Sequence, residues 1–260
     1  MSHEAEPQRH APAADSAGQP WAGRSFTPNP AAADDGSADP ALLAALNGFR
    51  AATAQPEDVV DAFRHARVLV PLLAHAGDVG TAADGHLVDK TQELSIVTVA
   101  GPDGRTVLPV FTSVGTLAAW DPQARPVPAA GPRVALAAAS EDTQLIVIDP
   151  GSPSEFVLRR PAVRALSSDS AWVPCYRDPA VHAAFDASIA SESDVAGIAL
   201  ADGDPEQRLL ADELVVSLSV RAGLDQSRLR ELVDRLTGRW AESAVIANGV
   251  DSMAVRLVAA

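Results

Sequence analysis

Residues 93–120 read ELSIVTVAGPDGRTVLPVFTSVGTLAAW, and this stretch decides the fold that the chain is predicted to adopt. Positions 94–100 and 106–111 are apolar runs rich in β-branched residues, which favour strands. Between them, Pro102 presets the φ of a turn and Gly104 accepts a positive φ. The stretch therefore predicts a β-hairpin.

A helix is predicted directly after this hairpin. Ser113 is a residue type that caps helix N-termini, and Leu117 and Trp120 then lie three apart on one helical face. A hairpin that leads into a helix leaves an apolar face uncovered, so the flanking segments must supply the remaining layers.

On the N-terminal side, Asp39 and Gln55 each precede a proline that opens a helix. Residues 67–74 read as a short strand, which we expect at a sheet edge or ending at Pro71, because proline donates nothing to the ladder. Residues 75–90 are rich in Gly and Asp and are predicted to be a loop.

On the C-terminal side, residues 125–129 form a weak strand, followed by an alanine-rich helix over 133–140. Residues 144–149 form a buried strand, and a turn leads to residues 155–159, where Phe156 and Leu158 alternate with polar neighbours. A helical turn is predicted over residues 161–166.

The last part of the chain shows a simpler pattern of predicted elements. A helix over 179–190 precedes strands over 195–202 and 213–221, a strongly amphipathic helix that Asp225 caps, and a closing strand over 253–258. The order β-β-α-β with one helix ahead of it predicts an open-faced α+β sandwich.

The predicted fold class is α+β: a mixed or antiparallel sheet with flanking helices, and a smaller β-β-α-β unit. The predicted domains are a disordered or docked tail over residues 1–39, an α+β domain over 40–175 and a second α+β domain over 176–260.

Bulk composition restricts the function classes. A formal net charge of −14 argues against binding to nucleic acid or to anionic membranes. No apolar run is long enough to span a bilayer, and Cys175 is the only cysteine, which excludes an internal disulfide and a cysteine-based metal site. We therefore expect a soluble, cytoplasmic protein without a cofactor.

A distinctive set of residues runs through the centre of the chain: Asp89-Lys90, residues 93–95, Asp103-Gly104-Arg105, residues 108–113, Trp120 and the strand over 144–149. This set resembles the SseB N-terminal domain over roughly residues 20–175, and residues 180–260 resemble the C-terminal domain of that family more weakly. The resemblance implies the bacterial enhanced-serine-sensitivity type, which has no assigned reaction and supplies no catalytic residues. It does not imply the unrelated type III secretion translocator of the same name.

Few residues of the sequence are candidates for catalysis or ligand binding. The sequence holds no phosphate loop, dinucleotide fingerprint, zinc-protease motif or nucleophile elbow. Cys175 lies in an apolar context that favours burial over reactivity. Arg159 and Arg160 are expected to be solvated.

A cleft near Lys90, Arg105, Thr112 and Ser113 could accept an anionic metabolite such as an amino acid, because a helix N-terminus with two hydroxyls suits an anion. The alternatives are a solvated lysine, ordinary turn chemistry at Arg105 and simple capping at the two hydroxyls.

The tail residues Trp21, Arg24 and Phe26 form a candidate interaction motif, the alternative being aromatic residues that pack on the protein's own surface or are incidental. The leading hypothesis is a non-enzymatic interaction or regulatory protein with an unidentified protein partner. Binding of a small anionic molecule is the second hypothesis and an unrecognised enzyme the third. Self-association stays open, because the face of a small β-β-α-β sheet often meets a partner.

Overall fold

The computed structural model describes residues 34–74, 79–81, 87–89, 94–140 and 143–260, and it describes only the backbone of those between 74 and 96. The chain divides into two units, Met1–Asp35 and Gly36–Ala260. Of the first unit only Asp34 and Asp35 are described, and both are exposed. The fold below is that of the second unit.

In the described ranges, the helices are α1 (Pro40–Arg50), α2 (Pro56–His65), α3 (Val114–Trp120), α4 (Gly131–Ser140), α5 (Arg160–Ser167), α6 (Pro179–Ile189), α7 (Gln226–Glu242) and α8 (Ala244–Gly249). The strands are β1 (Arg67–Ala74), β2 (Val79–Thr81), β3 (Leu87–Asp89), β4 (Leu94–Ile96), β5 (Val99–Ala100), β6 (Thr106–Val110), β7 (Arg125–Ala130), β8 (Ile146–Ile148), β9 (Phe156–Leu158), β10 (Val195–Asp202), β11 (Leu214–Val220) and β12 (Met253–Ala259).

The predicted central hairpin is confirmed as the antiparallel pair of β5 and β6. The N–H of Gly104 donates to the carbonyl of Gly101, and Gly104 has a φ of 82°, the conformation for which glycine was expected. The predicted first strand is divided, because its beginning, β4, pairs with β1 instead.

β1 lies between β4 and β7, so the expectation that it sits at an edge or ends at Pro71 is wrong. Leu69 exchanges both of its backbone hydrogen bonds with Phe111, on the side away from β7. Backbone direction alternates along a strand, so the nitrogen of Pro71 also points away from β7. Pro71 lies beyond the end of β4 as well, so its missing N–H costs no ladder bond.

A second sheet has the order β5-β6-β8-β9, with β6 and β8 parallel. One face packs on α1, α2, α4 and α5 in the larger apolar core. All three residues of β9 are buried, which corrects the predicted alternation with polar neighbours: Val157 contacts a small cluster that includes Leu209 on the opposite face. The residues predicted to be a loop before β4 contain the short antiparallel pair of β2 and β3.

The C-terminal part has the predicted β-β-α-β order. β10 pairs with β11 antiparallel, and β11 pairs with β12 in parallel. Leu214, Val216, Leu218 and Val220 point into a core with Leu232, Leu236 and Trp240 of α7. The helix α8 was not predicted.

These observations confirm a mixed α+β fold. One large apolar core draws on residues up to Trp172 and another on residues from Cys175 onward, although Gly36–Ala260 packs as one unit. The division of this unit into two domains at residue 175 stays a prediction. No helix among the described residues is long and apolar enough to cross a membrane.

Candidate functional site

Of the residues predicted to bind a ligand, Arg105, Thr112 and Ser113 are described, whereas Lys90 lies outside the described residues. So do the three residues of the predicted interaction motif, Trp21, Arg24 and Phe26. Arg105 precedes β6 and Thr112 follows it, so the length of the strand separates them by about 20 Å. The structure does not bring Arg105 together with the two hydroxyls.

Thr112 belongs to a buried polar link between the ends of β6 and β8. Its N–H and its hydroxyl donate to the two carboxylate oxygens of Asp149, at 2.8 and 2.7 Å. Ser154 donates a third bond to Asp149 at 2.8 Å. Both Thr112 and Asp149 are buried, and the hydroxyl of Thr112 already donates its hydrogen bond within the fold.

Ser113 caps α3, as predicted. Its side-chain oxygen accepts from the N–H of Thr116 at 3.1 Å, and the Thr116 hydroxyl accepts from the N–H of Ser113 at 3.2 Å. This reciprocal arrangement satisfies two backbone donors that the helix start would otherwise leave open.

Arg105 instead joins the hairpin turn to the C-terminal part of the chain. Its two terminal nitrogens donate to the two carboxylate oxygens of Asp251 at 3.0 and 2.9 Å, and its Nε donates to Asp103 at 2.6 Å. Burial by itself lowers the pKa of Arg105, but the hydrogen bonds to Asp251 and Asp103 outweigh it and raise this pKa above its ordinary value. Arg105 therefore stays cationic in this fork.

The expectation that Arg159 and Arg160 are solvated is wrong for Arg159, which is 2% exposed. Arg159 donates to Asp204 at 2.6 Å, to Asp251 at 3.2 Å and to the carbonyl of Ala211 at 2.8 Å. Burial of a charge is tolerated only with such partners.

Arg160 is partly buried beside this group. It donates to the carbonyls of Ala247 and Val250, and its Nε lies 3.8 Å from Asp251. Three arginines therefore surround the carboxylate of Asp251, which is almost inaccessible to solvent. We call Arg105, Arg159, Arg160, Asp204 and Asp251 the arginine–aspartate cluster.

Glu213 is a buried acid next to the arginine–aspartate cluster. It is buried, and its carboxylate accepts the N–H of Asp251 at 2.6 Å. Burial raises the pKa of Glu213 to about 7, even though the Asp251 N–H opposes the shift. Cys175 is buried as well, and burial together with Glu213 raises the pKa of its thiol above the ordinary value. A thiol held protonated in this way is a poor nucleophile.

Two clefts open beside the cluster and share Arg105 and Asp251. One of about 580 Å³ is lined also by Asp103, Leu210 and Asp212. The other, of about 400 Å³, is lined by Thr106, Thr143, Gln144 and Arg160 in addition. Both are polar, so a ligand here would meet charges that are already paired with each other.

A third cavity has the opposite character. It lies between β7 and α4, has a volume of about 190 Å³ and is lined almost entirely by apolar atoms. We call it the β7–α4 groove, and its lining residues are Val70, Leu72, Leu108, Val127, Ala129, Arg133, Val134 and Ala137.

Sequence reasoning found Arg105 but missed its partners and the groove. Arg159 directly follows three residues of buried strand, which is a local hint of burial. Nothing local indicates that Asp204 and Asp251 reach it, because both sit in connections far along the chain.

Comparison with known families gives one match. Residues 41–165 match the family model described as the SseB protein N-terminal domain. Through this domain, the chain belongs to the SseB family. No curated protein and no solved structure matches the chain.

The SseB domain supplies the three arginines of the arginine–aspartate cluster and the whole β7–α4 groove. Asp204, Glu213 and Asp251 lie beyond the matched residues. The resemblance of residues 180–260 to the C-terminal domain of the family, and the enhanced-serine-sensitivity type, stay predictions.

Proposed function

We propose that this SseB-family protein is a cytoplasmic interaction protein that acts by binding another protein and not by catalysis. The observation that carries the proposal is the β7–α4 groove. Its walls come from β1, β7, β6 and α4, which are fixed elements of the larger core, so the groove is preformed. Preformed apolar concavities are typical binding sites for a single large side chain.

The charge around the groove favours an acidic partner. Arg133 lines it and is exposed, and Arg125 is exposed at the start of β7. Neither has an ion-pair partner among the described residues. On a chain with a net charge of −14, Arg133 therefore places a local positive charge at the groove. The partner segment therefore carries an apolar anchor flanked by carboxylates.

The backbone of β7 excludes one mode of binding. Gly131 donates to the carbonyl of Ala66, so odd-numbered residues of β7 face β1 and even-numbered residues face the open edge. Pro126 and Pro128 occupy that edge and have no N–H. A partner strand would find no donor at these two positions, so the partner binds through its side chain and not by extending the sheet.

The test is a selection of random short peptides displayed against the full chain, with affinities then measured by fluorescence anisotropy on synthetic peptides. We expect enriched sequences with a leucine, phenylalanine or tryptophan next to glutamate or aspartate. Ala137→Phe fills the groove and should weaken binding at least tenfold. Leu136→Phe is the matched control, because Leu136 is the adjacent residue of α4, is 59% exposed and does not line the groove.

Arg133→Glu should weaken the binding of the acidic peptides and leave the affinity for a neutral peptide with the same anchor nearly unchanged. Enrichment of basic or wholly polar sequences, or equal effects of the two phenylalanine variants, would refute the proposal.

A second candidate function is the binding of a small anionic molecule such as an amino acid. The observation that favours it is the cleft of about 400 Å³, where Arg105 and Arg160 face Thr106 and Thr143. A ligand that binds only the folded state raises the melting temperature. A panel of amino acids and organic acids tested by thermal shift, with Thr106→Val as the variant that should lose the effect, decides this candidate.

A further inference from the structure

The outer edge of β12 differs from the described edges of β7 and β10. β12 ends the order β10-β11-β12, and all seven of its residues pair in regular register with β11. Ser252 accepts from Leu214 and Ala260 donates to Val220, so even-numbered residues face β11. Met253, Val255, Leu257 and Ala259 therefore direct their backbone N–H and C=O groups away from the sheet.

The edges of β7 and β10 carry features that prevent further pairing. The edge of β7 has Pro126 and Pro128 in place of donors. β10, at the opposite edge of the same sheet as β12, contains an irregularity at Ala196 that shifts its register. Proline and bulges are common means by which proteins protect an edge strand from further pairing.

β12 has neither feature. Its sequence, MAVRLVA, contains no proline and no lysine, and no bulge interrupts it. Leu257 is 46% exposed and Val258 is 49% exposed, and they point to opposite faces of the sheet. A seven-residue, regular and largely apolar edge of this kind is a template for another strand.

The charges of β12 favour a second copy of the same chain. Residues 253–260 contain Arg256 and no acidic residue, so two copies can approach here without bringing acidic residues of this strand together, despite their net charge of −14. If β12 pairs antiparallel with itself about Leu257, then Leu257 faces its own counterpart and Arg256 faces Val258 of the other copy. No two like charges are directly opposed in that register.

We infer that the chain forms a two-fold symmetric dimer in which the β12 strands of two copies pair antiparallel. The three-stranded sheets of the two copies then join into one continuous sheet, in which the outward N–H and C=O groups of Val255, Leu257 and Ala259 are satisfied. A two-fold axis normal to the sheet makes the same surface meet itself, which closes the assembly at two copies. The inference does not depend on the β7–α4 groove.

The test is sedimentation equilibrium of the full chain over a range of concentrations. We expect a mass of twice 26.9 kDa. Leu257→Pro removes one outward N–H, as the prolines of β7 do, without removing a bond to β11. It should weaken dimerisation at least a hundredfold while circular dichroism shows an unchanged fold. Leu257→Thr keeps the N–H and should remain dimeric.

Leu257→Lys is a second variant, which tests the same edge if proline disturbs the strand itself. Because a lysine on the edge opposes pairing by charge, this variant should also be a monomer. Ala137→Phe, in the β7–α4 groove, should leave the dimer intact. A failure of the groove proposal can therefore be distinguished from a failure of the dimer inference. A monomeric unchanged chain, larger assemblies, or a dimer that survives both Leu257→Pro and Leu257→Lys would overturn the inference.

Discussion

Arg105 and Asp251 meet through two parallel hydrogen bonds of 3.0 and 2.9 Å. A guanidinium and a carboxylate in this fork geometry form one of the stronger polar contacts in proteins. Asp251 also accepts from Arg159, so one carboxylate holds the turn of the central hairpin, the end of β9 and the segment before β12 together. The arginine–aspartate cluster is therefore the polar connection between the SseB domain and the C-terminal part of the chain.

Asp251→Asn should lower the free energy of unfolding by about 3 kcal/mol, because it leaves the buried Arg159 with Asp204 as its only carboxylate. Arg105→Gln should cost about 1 kcal/mol or less, since Arg105 is partly exposed and water replaces its contact. Urea unfolding measures both values. Asp212→Asn, an exposed acid of the same cleft, is the control with no expected effect. Equal costs for Asp251→Asn and Arg105→Gln would contradict the assigned roles.

Glu213→Gln should change how stability depends on pH. The folded pKa of about 7 lies above the ordinary value of 4.5 for a glutamate, so between these pH values the folded chain holds a proton that the unfolded chain has released. The contribution of Glu213 to stability is therefore present below about pH 4.5, falls as pH rises and is fully lost above about pH 7.

Relative to the unchanged protein, Glu213→Gln should gain up to about 3 kcal/mol above pH 7 and little at pH 4.5. Urea unfolding at a series of pH values gives this difference. Glu242→Gln, an exposed glutamate at the end of α7, serves as the control. A difference that stays constant across the pH range would show that Glu213 titrates normally.

Asp149 combines a buried carboxylate with a φ of 46°, a region that costs a side chain energy. Asp149→Ala should destabilise by about 3 kcal/mol, because it removes the acceptor of Thr112 and Ser154 and keeps the unfavourable φ. Asp149→Gly loses the same bonds but fits the backbone, so it should be about 1 kcal/mol more stable than the alanine variant. Thermal and urea unfolding compare the two, and an alanine variant as stable as the glycine variant would rule out strain at this position.

Pro126→Val combined with Pro128→Val should make the chain aggregate. The double variant restores two N–H donors on the open edge of β7 and so creates an edge that accepts another strand. Light scattering and thioflavin fluorescence should rise with time relative to the unchanged protein. Ala129→Val is the matched control, since the N–H of residue 129 faces β1 already. If the double variant behaves like this control, the prolines do not protect the edge.

Much of the local structure is predictable because its signals are local. Asp39 and Asp225 cap helices as expected, Gly104 adopts the positive φ that its turn requires, and β11 turns Leu214, Val216, Leu218 and Val220 into the core. The predictions that failed depend on which distant segments pair or pack together. Pro71 predicts a strand that lies at a sheet edge or ends there, yet β1 is central and the nitrogen of Pro71 faces a position without a ladder partner. The sequence predicts that Phe156 and Leu158 alternate with polar neighbours, yet Val157 between them is buried in a cluster with Leu209.

The sequence by itself determined the α+β class, the helix starts, the hairpin and the likeness to the SseB family, because each rests on backbone preferences and patterns within a short window. Tertiary structure alone decided that Arg159 is buried against Asp204 and Asp251 and that an apolar groove lies between β7 and α4. It also decided that β12 is an open edge. These properties depend on which distant segments pack together, and the free energy of that packing is not encoded in any one of them.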